Sequence, residues 1–326
     1  MSNVRLFGMS GEFSFDEKET PQPQSIPSQS DGITINLALD AVLNQLKAIG
    51  RRERTIESYQ YIFEDFVAKQ SIAAVDDISA QSIINYLDSL DVQNSTKLIR
   101  LKTIKAVLAR FFDNGWIDRN FWKNIDIKLD REVKVGAADA DIAALIRAID
   151  KTTFVGFRDA VAIDVLYRTG IRINTLGLLR EKHFNFRSLE LVLGADIMKG
   201  REAMKLPISK SIAINVGMLI DANNRLRKHF GVDNDYIFIS SLGTGINDSK
   251  SNSSVMSKRL TLYAKEFGLS NINAHAIRRA YAKNLLNAGA NIALISKALG
   301  HKDLSTTTQY LHLDIDETAK SLRDFL

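Results

Sequence analysis

The sequence predicts a mainly α-helical protein with a small antiparallel β-sheet, arranged as an N-terminal helical bundle followed by a mixed α/β domain. Three observations predict it. A length of 326 residues is enough for two domains, each burying a core of its own. Apolar residues recur at helical spacing through most of the chain from Ile33 onward. After Arg172 that period gives way to short apolar alternations broken at Gly194 and Gly200, and then returns.

Residues 1–32 hold three of the four prolines, Pro21, Pro23 and Pro27, among Gln, Ser and Asp. Such a composition buries too little apolar surface to offset chain entropy, so the segment reads as a flexible tail. Helix begins with Leu39, Val42, Leu43, Leu46 and Ile49, and Gly50 ends it. Three more amphipathic runs follow: Ile56 to Val67, Ser79 to Leu90, and Thr96 to Phe112. Residues 33–127 therefore form the predicted bundle. Its last helix carries Lys97, Arg100, Lys102 and Lys105 on faces away from the apolar stripe, which suits either contact with phosphates or a solvated helix face.

Residues 128–138, charged and containing Gly136, read as a linker, and 139–326 as the second domain. It opens with helices at about 139–150 and 157–169. Leu189, Leu191 and Val192, then Met204, Leu206 and Ile208, mark short strands. Helical patterns resume near 209–229, 253–267, 275–288 and 291–299, with a further strand expected at Tyr236 to Ile239.

Composition narrows the chemistry. Forty-three Lys and Arg against 38 Asp and Glu give a formal charge of +5, which fits a polyanionic partner without requiring one. There is no cysteine, which excludes disulfides, thiolate metal sites and a cysteine nucleophile. The Gly243-Thr244-Gly245 turn is not a nucleotide phosphate loop, and the five histidines show no metal-ligand spacing, so no cofactor and no metal are expected. No stretch reaches the roughly 18 apolar residues of a membrane span, and a cytoplasmic protein is expected.

Four stretches of the second domain carry reactive side chains in order: YRTGIRINTLGLL around Arg172, IMKGREAMKLPIS around Lys199, HAIRRAYAKNLLNAGANIALISKALGH from His275 to His301, and STTTQYLHLD around Tyr310. Singly, each has an ordinary structural explanation. Together, the succession of Arg, Lys, His-x-x-Arg, Leu-Gly-His and Tyr resembles the catalytic domain of tyrosine recombinases, the phage-type integrase family, over about residues 139–315. The preceding bundle resembles that family's SAM-like core-binding domain, and the two-domain layout resembles Xer or simple-integrase enzymes.

The resemblance implies a site-specific recombinase that cuts and rejoins DNA through a 3′-phosphotyrosyl intermediate and a Holliday junction, in integration, excision or dimer resolution. Arg172 and Arg278 suit the phosphate, because a guanidinium stays charged and donates to two oxygens at once. Tyr310 is the candidate nucleophile and His275 the acceptor of its proton. By resemblance, Lys199 protonates the leaving 5′ oxygen and His301 hydrogen-bonds the phosphate. Arg279, adjacent to Arg278, is expected on the DNA backbone or in solvent.

The implied partners are double-stranded DNA with paired core sites, a homotetramer on two such sites, and a possible second recombinase or accessory protein. Ile315, Ala319, Leu322 and Phe325 are spaced as an amphipathic helix that would dock on a neighbour or on its own domain. One departure stands out. Where the family has an acidic residue after the first arginine, this chain has Asn174 and Thr175, which leaves open a catalytically weakened DNA-binding relative. A topoisomerase-like relaxing enzyme is the other alternative.

Overall fold

A computed structural model describes residues 32–129, 134–198, 202–247, 254–301 and 303–311. The expected tail apart from Gly32, residue Lys199, and the expected helix from Ile315 to Phe325 lie outside the described residues. The chain divides into two compact units, Met1–Arg131 and Glu132–Leu326.

In the first unit four helices form: α1 (Ile35–Ala48), α2 (Glu53–Gln70), α3 (Ala80–Asp88) and α4 (Asn94–Asp113). Their apolar stripes meet in one core, where Phe63 stands edge-on to Phe66 and Phe111 at centroid distances of 5.7 and 5.6 Å, and Phe66 to Tyr86 at 5.3 Å. Such edge-to-face packing sets the positive ring edge against the negative face. Ser79 starts α3 by accepting from the Ser82 amide.

The second unit contains α5 (Asp139–Ala148), α6 (Phe154–Thr169), the short α7 (Ile173–Leu176), β1 (Phe184–Asn185), β2 (Glu190–Leu193), β3 (Met204–Pro207), α8 (Lys210–Phe230), α9 (Val255–Glu266), α10 (Ala274–Asn287), α11 (Ile292–Leu299) and α12 (Leu304–Leu311). The strands make an antiparallel sheet in the order β1-β2-β3, with Leu191 opposite both Phe184 and Leu206. α6 is buried over most of its surface and pairs with α8 and α10 as the centre of the unit.

A strand at Tyr236 to Ile239 does not form. The run is buried as its apolarity demands, but it pairs only through isolated antiparallel bridges, Tyr236 with Arg180 and Ile239 with Gly245: the Ile237 amide donates to the Leu179 carbonyl at 2.9 Å, and Phe238 accepts from Ile246 at 3.2 Å. Asn223 of α8 satisfies the Ile237 carbonyl at 2.8 Å. Leu189, expected in a strand, has φ 54 and turns the chain into β2.

Candidate active site

The site is assembled where helices end. Thr153 caps the start of α6, accepting from the Gly156 amide at 3.1 Å, and the helix stops at Gly170 with φ 60. A side chain at Gly170 would be strained by that φ, and its Cβ would stand 2.1 Å from the Tyr281 ring. Asn291 caps α11, and Gly300 ends it with φ 59. The carbonyls at these two ends carry the negative pole of each helix, a natural seat for cations.

Arg278 occupies both. Rising from α10 with only 3% of its surface exposed, it donates from one guanidinium nitrogen to the Gly170 carbonyl and from the other to the Leu299 carbonyl. The second nitrogen also lies 3.2 Å from His301 Nε2. Arg172, at the start of α7, reaches the Gly300 carbonyl at 3.4 Å. Residues 299 to 301 thus draw two guanidiniums and an imidazole to one place. Burial first, then the charges of Arg278 and Arg172, push the His301 pKa down to about 4, so this ring is neutral near pH 7.

His301 is held on its other side as well. Nδ1 lies 2.9 Å from the hydroxyl of Thr307, a fully buried residue of α12, and the backbone amide donates to the Ser296 carbonyl at 3.0 Å. α12 also bears Tyr310. Local pattern does not single out Thr307; its signal in the sequence is the position three residues before Tyr310, one turn away on any helix.

His275 sits in the first turn of α10, which Asn273 caps by accepting from the Ala276 amide at 2.9 Å. Partial desolvation, then the positive charges of Arg279, Arg278, Arg172 and Lys134, hold its imidazole below the usual pKa. His275 and Arg279 line a cleft of about 440 Å³ with Lys134, Val135, Asn271 and Asn273.

Lys199 lies outside the described residues, but Met198 before it is buried, its methyl 3.1 Å from where a Cβ on Gly300 would stand. Thr175, in place of the acid, is 3% exposed and makes a long 3.5 Å hydrogen bond to the Ile197 carbonyl, tying α7 to the same hairpin. Among the described residues no group of three or more His, Asp or Glu side chains is placed to hold a metal ion.

The four basic residues expected at DNA on α4, Lys97, Arg100, Lys102 and Lys105, part company. Lys102 is exposed and Lys97 half-buried, while Lys105 donates to the Lys123 carbonyl at 3.1 Å. Arg100 does not present a free face: its guanidinium is paired with Asp65 and the Tyr86 hydroxyl inside the first unit.

Residues 138–317 match the model of the phage integrase family. Among curated relatives, the tyrosine recombinase XerC of Mannheimia succiniciproducens is 32% identical over 226 residues, covering 68% of this chain and 72% of that one. XerC of Thermodesulfovibrio yellowstonii is 27% identical over 282 residues, covering 84% and 90%. In fold, the chain is similar to the Tn1549 transposon integrase solved with a circular intermediate DNA, at TM-score 0.69 and 16% identity over 90% of this chain and all of that one. It is likewise similar to the XerH site-specific recombinase in a post-cleavage DNA complex, at TM-score 0.65 and 19% identity, covering 87% and 83%.

The chain belongs to the phage integrase family. Within it, the relatives place the protein among the tyrosine site-specific recombinases, and they favour neither a relaxing topoisomerase nor a catalytically silent relative.

Proposed function

We propose that the protein binds double-stranded DNA at paired sites and cleaves a strand by attack of the Tyr310 phenol oxygen on phosphorus. The P–O5′ bond breaks, a 3′-phosphotyrosyl ester forms, and attack by a 5′-hydroxyl of the partner strand reverses the step, giving a Holliday junction and then recombinant products. The phosphodiester bond is conserved in the ester, so rejoining is driven without a nucleotide cofactor. Four copies act together on two sites, the residues 312–326 serving the contacts between them.

The observation that carries this reading is the meeting of Arg172, Arg278 and His301 at the end of α11, directly before the helix of Tyr310. Displacement at phosphorus gathers charge on the equatorial oxygens, and fixed donors aimed there lower the barrier without reorganising. The helix-end carbonyls hold the same guanidiniums in place. His275, whose pKa is lowered by burial first and then by the neighbouring cations, is the acceptor of the phenol proton. Lys199 gives its proton to the departing 5′ oxygen. Arg279, Lys97, Lys102 and Lys105 contact the DNA backbone.

The test is a nicked suicide duplex carrying the recombination site, mapped first by sequencing covalent adducts on DNA from the source genome. Wild type forms an SDS-resistant adduct; Tyr310→Phe binds with similar affinity and forms none. An adduct with the phenylalanine variant would remove Tyr310 from the role.

A further inference from the structure

We propose that Thr307 is a positioning residue: its hydroxyl accepts the Nδ1 proton of the His301 imidazole, whose tautomer Arg278 sets, and so fastens α12, the helix of Tyr310, to the Arg278–His301 pair. The hydrogen bond follows from the described geometry alone; its consequence for cleavage rests on the reading of Tyr310 as nucleophile.

The argument is one of donors and acceptors. A guanidinium has five N–H groups and no acceptor, so the nitrogen of Arg278 that lies 3.2 Å from His301 Nε2 donates to it. Nε2 must then offer its lone pair, which leaves the ring proton on Nδ1. Nδ1 lies 2.9 Å from Thr307 Oγ1, and the hydroxyl oxygen accepts that proton. With the opposite tautomer Nε2–H would face an N–H, whereas the Thr307 hydroxyl, which can also donate, would still meet Nδ1; the choice of tautomer therefore falls to Arg278, and Thr307 takes up the proton that choice places on Nδ1.

Thr307 is also fully buried, so no water competes for Nδ1. The backbone of His301 is already pinned to α11 through Ser296. The ring's contact with Thr307 therefore carries this fixed point to α12, which also packs on α10 and α11. Thr307 precedes Tyr310 by three residues, about one turn and roughly 4.5 Å along the axis, so a slip or rotation of α12 that displaces Tyr310 must also break the bond. An N–H on Nδ1 is present in both the neutral and the protonated ring, so the anchor survives if a bound phosphate draws a proton onto Nε2.

The full-length chain, labelled with 15N-histidine, tests this directly, with the His301 signals assigned by their loss in His301→Gln. In wild type and Thr307→Ser the long-range proton–nitrogen spectrum shows a protonated Nδ1 and an unprotonated Nε2. In Thr307→Val, of similar volume but without the hydroxyl, Arg278 keeps the same tautomer, but the Nδ1 proton loses its acceptor, so its resonance moves upfield and it exchanges faster with solvent. A wild-type ring protonated on Nε2, or a valine variant whose Nδ1 proton keeps the wild-type shift and exchange rate, overturns the proposal, and the wild-type result stands whether or not the valine variant folds. On the suicide duplex, Thr307→Val then forms adduct about 10- to 100-fold more slowly at unchanged DNA affinity, and Thr307→Ser restores the rate. A normal rate in Thr307→Val refutes the coupling to cleavage. An adduct in Tyr310→Phe refutes the nucleophile assignment and leaves the tautomer result intact.

Discussion

Arg278 and His301 lie 3.2 Å apart, and burial first, then the charges of Arg278 and Arg172, keep the imidazole neutral in the fold. In the unfolded chain the same ring titrates near ~6.5, whereas in the fold it titrates at about 4. Between those values the unfolded state binds more protons, so stability falls as pH drops from about 6.5 toward 4 and levels off below. The loss attributable to His301 is on the order of 2–3 kcal/mol. Urea midpoints measured across this range should fall less steeply in His301→Gln; parallel curves would show that other groups, His275 and the buried His183 among them, govern the acid limb. The role proposed for Lys199 depends on leaving-group basicity. Lys199→Ala should cleave ordinary DNA about 10² to 10⁴-fold more slowly, yet regain most of its rate on a bridging 5′-phosphorothiolate, whose thiolate leaves without an acid. Arg172→Ala and Arg278→Ala should regain none, because charge on the non-bridging oxygens still needs stabilising. Equal defects on both substrates would make Lys199 a binding residue.

At the scale of elements, helix ends do the positioning. α6 and α11 each stop at a glycine with positive φ, and the carbonyls of the two turns, at residues 170, 299 and 300, are where Arg278 and Arg172 anchor. α6 itself is fixed to α9 by Asp159, fully buried and accepting from Arg158, Arg259 at 2.7 Å and the Tyr263 hydroxyl at 2.9 Å. α4 shows the opposite use of charge. Arg100 closes a network with Asp65 and Tyr86; burial pushes the Tyr86 hydroxyl up to about 12, so it stays protonated and keeps donating to Asp65. Salt dependence of DNA affinity separates the roles. Lys102→Ala and Lys105→Ala should each flatten the log–log slope by up to ~1 if the amine meets a phosphate. Arg100→Ala should instead leave the slope unchanged and destabilise the bundle by about 1–3 kcal/mol, since Asp65 and the Tyr86 hydroxyl lose a buried partner. A slope change at Arg100 and none at Lys102 or Lys105 would reverse the assignment.

At the scale of the molecule, the main hydrophobic core of each unit among the described residues forms from a sequence-contiguous segment, one within residues 35–122 and one within 137–280, with a smaller cluster of Ala282, Ile295 and Leu299 in the second unit. Each unit therefore holds the burial it needs to fold independently. Residues 32–129 expressed alone should unfold cooperatively in urea, and Phe63→Ala, which empties a fully buried ring site, should cost that fragment about 3–5 kcal/mol while leaving 134–326 unaffected. A non-cooperative fragment would show that the bundle depends on the rest of the chain. Among the described residues no helix is long and apolar enough to cross a membrane.

Periodicity alone located α1 to α6 and α8 to α11 to within a few residues, because each is an amphipathic run whose stripe is written locally. The order of Arg172, Lys199, His275, Arg278, His301 and Tyr310 was likewise legible along the chain. Local pattern failed where a distant segment supplied the partner. Tyr236 to Ile239 has the apolarity of a strand, but strand pairing needs a neighbour, and the fold sets loop ends and Asn223 beside it instead. Arg100 reads as a solvated cation until α2 brings Asp65 to it across 35 residues. Arg278 and His301, 23 residues apart, and the Gly170 carbonyl, 108 from Arg278, meet only when α6, α10 and α11 pack. The sequence by itself determined which helices form and which reactive groups are available; the tertiary structure decided which charges are neutralised and which rings are held, because hydrogen-bond partners and desolvation come from residues that local sequence cannot see.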